Sequence, residues 1–214
     1  MTDRKDLHSK FLNFSPKKGD LRKAELLEAT IYCLAHLGIE NTTFESIGKR
    51  CHMKKTHVAY YFPDKADLVE AAIKFVVAHV QDITVEFVSQ SEKPTSVLKA
   101  FVEGTFHWVA SYPDEPRVIL LMYYYSTISP SYKKLHDQVR QLGAKRLSAI
   151  LKNISPKSAS NTCLEGGKHI QALLTGYLVE YLTTETKHSA SYYSQKTWRE
   201  ISEYLINRSF TKSR

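Results

Sequence analysis

Lys54, Lys55, Thr56, His57, Tyr60 and Tyr61 crowd into one short stretch, "KKTHVAYY", that contains no carboxylate. The acid-free window is wider still: from Ser46 to Pro63 the chain also carries Lys49, Arg50 and His52 without an Asp or Glu. Ammonium, imidazole and hydroxyl groups are the donors that phosphate oxygens accept, and a carboxylate among them would repel a polyanion whose counterions the cations displace. Taken singly, these residues have plainer readings. A lysine pair is equally a solvated helix face, adjacent tyrosines serve packing, and His57 alone fits an exposed histidine as well as a reader of bases. The elements that carry them therefore matter.

Apolar residues recur at three- and four-residue spacing along most of the chain, and no segment alternates strictly, so the sequence predicts an all-α fold of about nine helices. A first helix starts near Asp20, buries Ala24, Leu27, Ile31, Leu34 and Ala35, and stops at Gly38, which suits a C-cap. A second spans about 44–50, with Thr43 as N-cap, Glu45 in its first turn and Ser46 beside it. A break at 51–53 precedes a third helix, which Pro63 terminates because the residue before a proline leaves the helical region. Asp64 then caps a long fourth helix with a stripe from Leu68 to Phe87. Two short helices separated by a three-residue turn form the helix-turn-helix arrangement, whose second helix enters the DNA major groove.

Beyond Pro94 the pieces lengthen, and prolines punctuate helices at about 94–112, 115–126, 131–153, 163–184 and 194–210. The expected organisation is a flexible basic tail at 1–19, a three-helix head at 20–65, and a larger helical bundle at 66–214 joined to the head by the long fourth helix. No apolar run reaches the roughly 18 residues of a membrane span, and the N-terminus begins polar, which predicts a cytoplasmic protein without a membrane partner. Three widely spaced cysteines fit reduced thiols better than a disulfide framework. The formal charge of +8 favours an acidic partner.

The stretch "GIENTTFESIGKRCHMKKTHVAYYFPDKADL" resembles the N-terminal signature of the tetracycline-repressor (TetR) family of transcription regulators. The matching positions are Gly38, Thr43, Ile47, Tyr60 with Phe62, and Lys65 with Leu68, and the match covers about 20–70. The resemblance implies a homodimer on a palindromic operator, with half-sites about 34–36 Å or a multiple of that apart. It implies that Lys55, Thr56 and His57 face base edges, with Lys55 suited to guanine, while Thr43, Lys54, Tyr60, Tyr61 and Lys65 meet phosphates. Leu34, Ile47, Val58 and Phe62 hold the head together, and Phe44 packs inward. Two departures stand out: Cys51-His52-Met53-Lys54 where the family commonly has Ala-Gly-Val-Ser, and Ala59 where it often has an aromatic. A non-glycine residue in that turn carries backbone strain or shifts the turn.

By the same resemblance, the body binds a small-molecule effector of unidentified chemistry, with repression as the outcome. Phe106, His107, Trp108, Tyr112, Met122, Tyr124 and Tyr125 could line an apolar cavity, although residues at helical spacing more often form core. Ile170, Leu173, Leu174, Tyr177, Leu178 and Tyr181 of the eighth helix, with Trp198, Ile201 and Leu205 of the ninth, form the expected dimer faces; the alternative is that they close the monomer's own core. Gly166, Gly167, Ala172 and Gly176 would let another helix approach closely. No cofactor or metal is expected. "EGGKH" lacks the first glycine and the Ser/Thr of a phosphate-binding loop, no catalytic motif is present, and the cysteines and histidines have no zinc spacing. A helical interaction module without specific DNA binding remains the alternative, with an enzyme a distant third.

Overall fold

The computed structural model describes residues 18–185 and 188–210, so the predicted tail at 1–19 lies outside the described residues except for its last two positions. Among the described residues there are nine helices and no strand. They are α1 (Lys18–Asn41), α2 (Phe44–Arg50), α3 (Lys55–Tyr61), α4 (Lys65–Ser89), α5 (Pro94–Ser111), α6 (Asp114–Ser126), α7 (Pro130–Ile154), α8 (Ser160–Thr183) and α9 (Ala190–Asn207). They group into two units. Within the described residues the first holds 18–79 and 113–124, and the second holds 80–112 and 125–210.

The helix boundaries have local causes. Gly38 breaks the helical geometry of α1 with φ 74° and ψ 172°, a conformation that glycine adopts without a Cβ clash. Asp64 starts α4 by accepting from the Ala66 amide at 2.7 Å. The eighth and ninth helices begin earlier than periodicity predicts, at Ser160 and Ala190, and α9 ends earlier, at Asn207. Ser189 caps α9 by accepting from the Tyr192 amide at 3.2 Å, a signal that lies ahead of the apolar stripe. At the far end, the Ser209 amide donates to Ile206 O at 3.0 Å and the Phe210 amide to Leu205 O at 2.9 Å. This is a Schellman closure with serine, at φ 57°, where glycine is usual. Phe210, 4% exposed, supplies its apolar contact.

In the first unit, Leu26, Ile47, Val58 and Leu68 are wholly buried, and Leu34 is nearly so. That places Leu34, Ile47 and Val58 in the head's core as the sequence predicts, whereas Phe44 and Phe62 are half-buried. The second unit packs Leu98, Val102, Phe106, Leu147, Leu151, Ile170, Tyr193 and Ile201 into one apolar cluster. Gly167 sets its helix spacing, because a Cβ there would stand 2.5 Å from Ala144 O of α7.

Candidate nucleic-acid interface

Seven-residue helices are too short to persist alone, so α2 and α3 depend on their ends and on what they bury. Thr43 and Ser46 form a reciprocal capping box: Thr43 Oγ1 accepts from the Ser46 amide at 3.1 Å and Ser46 Oγ from the Thr43 amide at 2.8 Å. Ile47 and Val58 pin the inner faces, both at 0% exposure. Between them the turn keeps the compact form that glycine would normally supply, since His52 sits in the left-handed region at φ 56°. The Met53 amide donates to Gly48 O at 2.8 Å. Gly48 has no room for a side chain, because a Cβ would meet Met53 O at 2.5 Å. The departure at His52 is thus borne as strain while the turn geometry is kept.

Pro63 and the Val58 anchor leave the other faces of α3 outward. Lys54, Lys55, Thr56, His57 and Tyr60 are exposed, with Tyr60 at 80%, and Tyr61 is half-buried with its ring edge-on to Tyr60 at 5.3 Å. Thr43 is also exposed. Lys65 is placed differently: its Nζ donates to Ile39 O at 2.6 Å, tying the start of α4 to the end of α1. Lys49, Met53, Lys54 and Lys55 border a shallow hollow together with Glu45. Glu45 accepts from Lys49 Nζ at 2.8 Å, and this contact, aided by the more distant charge of Lys55, holds its carboxyl below the ordinary range. Glu45 falls just outside the acid-free window and plays no part in the sequence argument beyond helix capping, yet it sits beside the cations. Arg50 lies 3.9 Å above the Tyr32 ring, so that cation braces α2 on α1.

Two further features of the first unit were not foreseen. Asp114 Oδ1 lies 2.9 Å from His36 Nε2, and Glu115 Oε1 lies 2.8 Å from His79 Nδ1. The second pair is buried, its side chains 3% and 6% exposed. Consecutive carboxylates thus fasten the start of α6 to α1 and to α4. In the sequence they read as ordinary acids at a helix N-terminus; partners 78 and 36 positions away leave no local signature.

The seven candidate effector-binding residues divide between the units. Phe106, His107, Trp108, Tyr112 and Tyr125 belong to the second and Met122 and Tyr124 to the first. Phe106, Trp108 and Met122 are buried, Tyr112 and Tyr125 half-buried, and His107 and Tyr124 exposed. Phe106 is part of the apolar cluster, its ring stacked toward Tyr193 at 6.4 Å. Of the nine candidate dimer residues, Ile170, Leu174, Tyr177, Leu178, Ile201 and Leu205 are buried within the single chain, and Leu173, Tyr181 and Trp198 are half-buried. Gly166 and Gly167 admit Leu151 and the α7 backbone of the same chain, whereas Ala172 and Gly176 are exposed. The Tyr177 hydroxyl donates to Glu200, and burial together with that carboxylate pushes its pKa up.

An all-helical chain that presents a capped helix-turn-helix with an outward cationic second helix is built as a transcription regulator. Residues 26–72 match the family of bacterial regulatory proteins described as the tetR family. The HTH-type transcriptional regulator BetI of Serratia proteamaculans is 24% identical over 196 residues, 80% of this chain and 97% of the relative. Among solved structures, a transcriptional regulator from Pseudomonas aeruginosa PAO1 has a TM-score of 0.76 at 20% identity, covering 91% of this chain and 96% of that one. A regulator from Saccharomonospora viridis in complex with choline has a TM-score of 0.70 at 18% identity, covering 87% and 95%. AibR in complex with isovaleryl coenzyme A and operator DNA has a TM-score of 0.65 at 14% identity, covering 84% and 97%. Residues 26–72 thus match the helix-turn-helix of the TetR family, and over most of its length the chain resembles transcription regulators of that family.

Proposed function

We propose that this protein is a cytoplasmic homodimeric repressor that binds a palindromic operator through residues 20–65 and is released by a small molecule bound in residues 66–214. The observation that carries the reading is the outward face of α3, where Lys54, Lys55, Thr56, His57 and Tyr60 stand exposed while Val58 is buried. Lys55, Thr56 and His57 reach base edges in this reading. Thr43, Lys54, Tyr60 and Tyr61 fix the register on phosphates. Lys65, engaged with the Ile39 carbonyl, contributes by bracing the head. The similarity in fold to a regulator bound to operator DNA supports the same use of the head. Catalysis is not part of the reading: the relatives that the chain matches are named as transcriptional regulators.

Dimerisation follows from the symmetry of the operator. Because so much of the apolar stripe of α8 and α9 is consumed in the chain's own core, the partner would meet the opposite edge of α8, where Ala172, Gly176 and Val179 are exposed. A Cβ at Gly176 would meet no other segment of the described chain within 4 Å, which leaves room for a close helix approach. An effector acts only by binding two states unequally. The α6 helix carries Met122 and Tyr124 and is fastened through Asp114 and Glu115 to α1 and α4, so a ligand that displaces α6 also pulls on its ties to those two helices. The similar folds solved with choline and with isovaleryl coenzyme A support effector control without fixing the chemistry here.

Mobility-shift titration of the full chain against genomic fragments tests the reading. The expected result is retention of a few fragments with steep salt dependence, and Lys55→Ala losing about 1–3 kcal/mol of discrimination between them. Uniform binding to every fragment, or none to any, would overturn the operator assignment and leave a helical interaction module.

A further inference from the structure

The basic excess of the chain does not reside in its DNA-binding head. Within the described residues the first unit, 18–79 and 113–124, carries ten basic and ten acidic residues. In the second unit the cations gather on α7, where Lys133, Lys134, Arg140, Lys145, Arg146 and Lys152 face one acid, Asp137. Only part of this charge is spent inside the fold. Burial lowers the Arg146 pKa while the charge of Asp82 opposes that shift, and Arg146 is half-buried, so its cation is turned partly into the fold. The others stand on the outer side of the helix or at its edge.

The arrangement along α7 is regular. Lys134, Gln138, Gln141, Lys145, Ala149 and Lys152 recur at three- and four-residue steps, which puts them on one face, and all six are exposed. The lysines and glutamines each offer hydrogen-bond donors, Ala149 is a small gap between two lysines, and none of the six is a carboxylate. The row from Lys134 to Lys152 spans about 27 Å at 1.5 Å per residue. Asp137 lies to one side, within 3.7 Å of His136, and Leu142 to the other, 57% exposed. Lys152 Nζ also donates to Ser158 O at 2.6 Å, which holds its ammonium near the C-terminal end of the row. The apolar positions of α7, Leu135, Leu147 and Leu151, are buried in the chain's own interior.

We propose that the outer face of α7 is a second, sequence-independent binding surface for the phosphate backbone of duplex DNA. Lysine and glutamine side chains are among the groups that contact phosphate oxygens without reading bases. A membrane surface is the poorer match, since an interfacial helix needs an apolar face free to enter the lipid and α7 has already buried its own. The face would add affinity for any duplex, near the operator or away from it. It requires neither base contacts by α3 nor a defined placement of the two units.

The test uses the full chain and a duplex without operator sequence, titrated from low to moderate salt by fluorescence anisotropy. Each phosphate neutralised contributes about −0.9 to the slope of log affinity against log salt. The double variant Lys134→Gln, Lys145→Gln should flatten that slope by about 2 and weaken non-specific binding at least tenfold. Lys134→Arg with Lys145→Arg should keep both. A control with the same loss of charge elsewhere, Lys99→Gln with Lys168→Gln, removes exposed lysines that are paired with Glu103 and Glu165. It should leave the slope within about half a unit of the parent's. An unchanged slope in the α7 variant, or an equal drop in the control, overturns the proposal. So does a variant that loses binding to anionic phosphatidylserine vesicles while its duplex binding stays intact. Failure of the operator reading registers separately, as absent discrimination between genomic fragments, and leaves the α7 slope measurable.

Discussion

Each unit has an apolar core of its own, and the two differ in what fixes the helices beyond that core. In the first, helices are fastened at points: the Thr43–Ser46 box starts α2, Lys65 reaches the Ile39 carbonyl, and Asp114 and Glu115 hold His36 and His79. The second is held over areas. Long helices there share an apolar cluster, and Gly167 brings α8 against the backbone of α7. Point fastenings are directional and depend on charge and on hydrogen-bond geometry. Area packing is close to indifferent to charge but intolerant of added volume. The contrast follows from length, since seven-residue helices cannot bury enough surface to dispense with polar caps and ties.

The sharpest way to break this contrast is to cut the buried tie. Glu115→Ala should destabilise the protein by roughly 3 kcal/mol, because it strips the carboxylate from an imidazole that is itself buried. The double variant His79→Leu, Glu115→Leu should recover a large part of that loss, since apolar replacement of both partners removes the polar burial. Urea denaturation reads both. A double variant that costs the sum of the two single changes would mean that the pair is not coupled.

In the second unit the corresponding blow is volume. Gly167→Ala sets a Cβ against the Ala144 carbonyl and the Ser148 amide, which are backbone and cannot step aside. It should cost about 1–3 kcal/mol. Gly143→Ala meets only the end of the Gln171 side chain, which can turn away, so its cost should be smaller. Equal costs in thermal melts would show that close backbone approach is not what sets the α7–α8 spacing.

Smaller again is the exposed tie. His36 and Asp114 keep side-chain exposures of 39% and 32%, and Asp114 also accepts from Arg117 at 3.3 Å. Screening by solvent leaves such a pair at most about 1 kcal/mol. His36→Ala should therefore lie well below Glu115→Ala in cost and shrink further in high salt. A loss comparable to that of Glu115→Ala would shift the main fastening of α6 from α4 to α1.

What the sequence disclosed divides along the same line. Periodicity, prolines and Gly38 predict the helices, and the outward cations of α3 follow from spacing because they lie within a few residues of each other. Ties between distant segments do not. Nothing local marks Glu115 as the partner of His79, or Lys65 as bound to a carbonyl 26 positions earlier. The apolar stripes of α8 and α9 show the reverse limitation: Ile170 and Ile201 read as dimer faces with the chain's own core as the alternative, and a pattern of buried faces does not say which surface buries them. Both are fully buried within the one chain.

The smallest effect compares the units most directly, because each contains the same local anomaly. His52 in the α2–α3 turn and Ser209 at the end of α9 hold φ values of 56° and 57°, where residues with a Cβ are strained. Glycine at either place relieves the strain but gives the unfolded chain more freedom, so a net gain of only about 0.5 kcal/mol is expected from each of His52→Gly and Ser209→Gly. If backbone strain alone is at issue, the two gains should agree. Ser209 is held on both sides by the Schellman bonds and by buried Phe210, whereas His52 is exposed and braced mainly by the Met53–Gly48 bond. A clearly larger gain at His52, measured by urea denaturation alongside duplex affinity, would mean that the point-fastened unit concentrates its strain at the turn that aims α3.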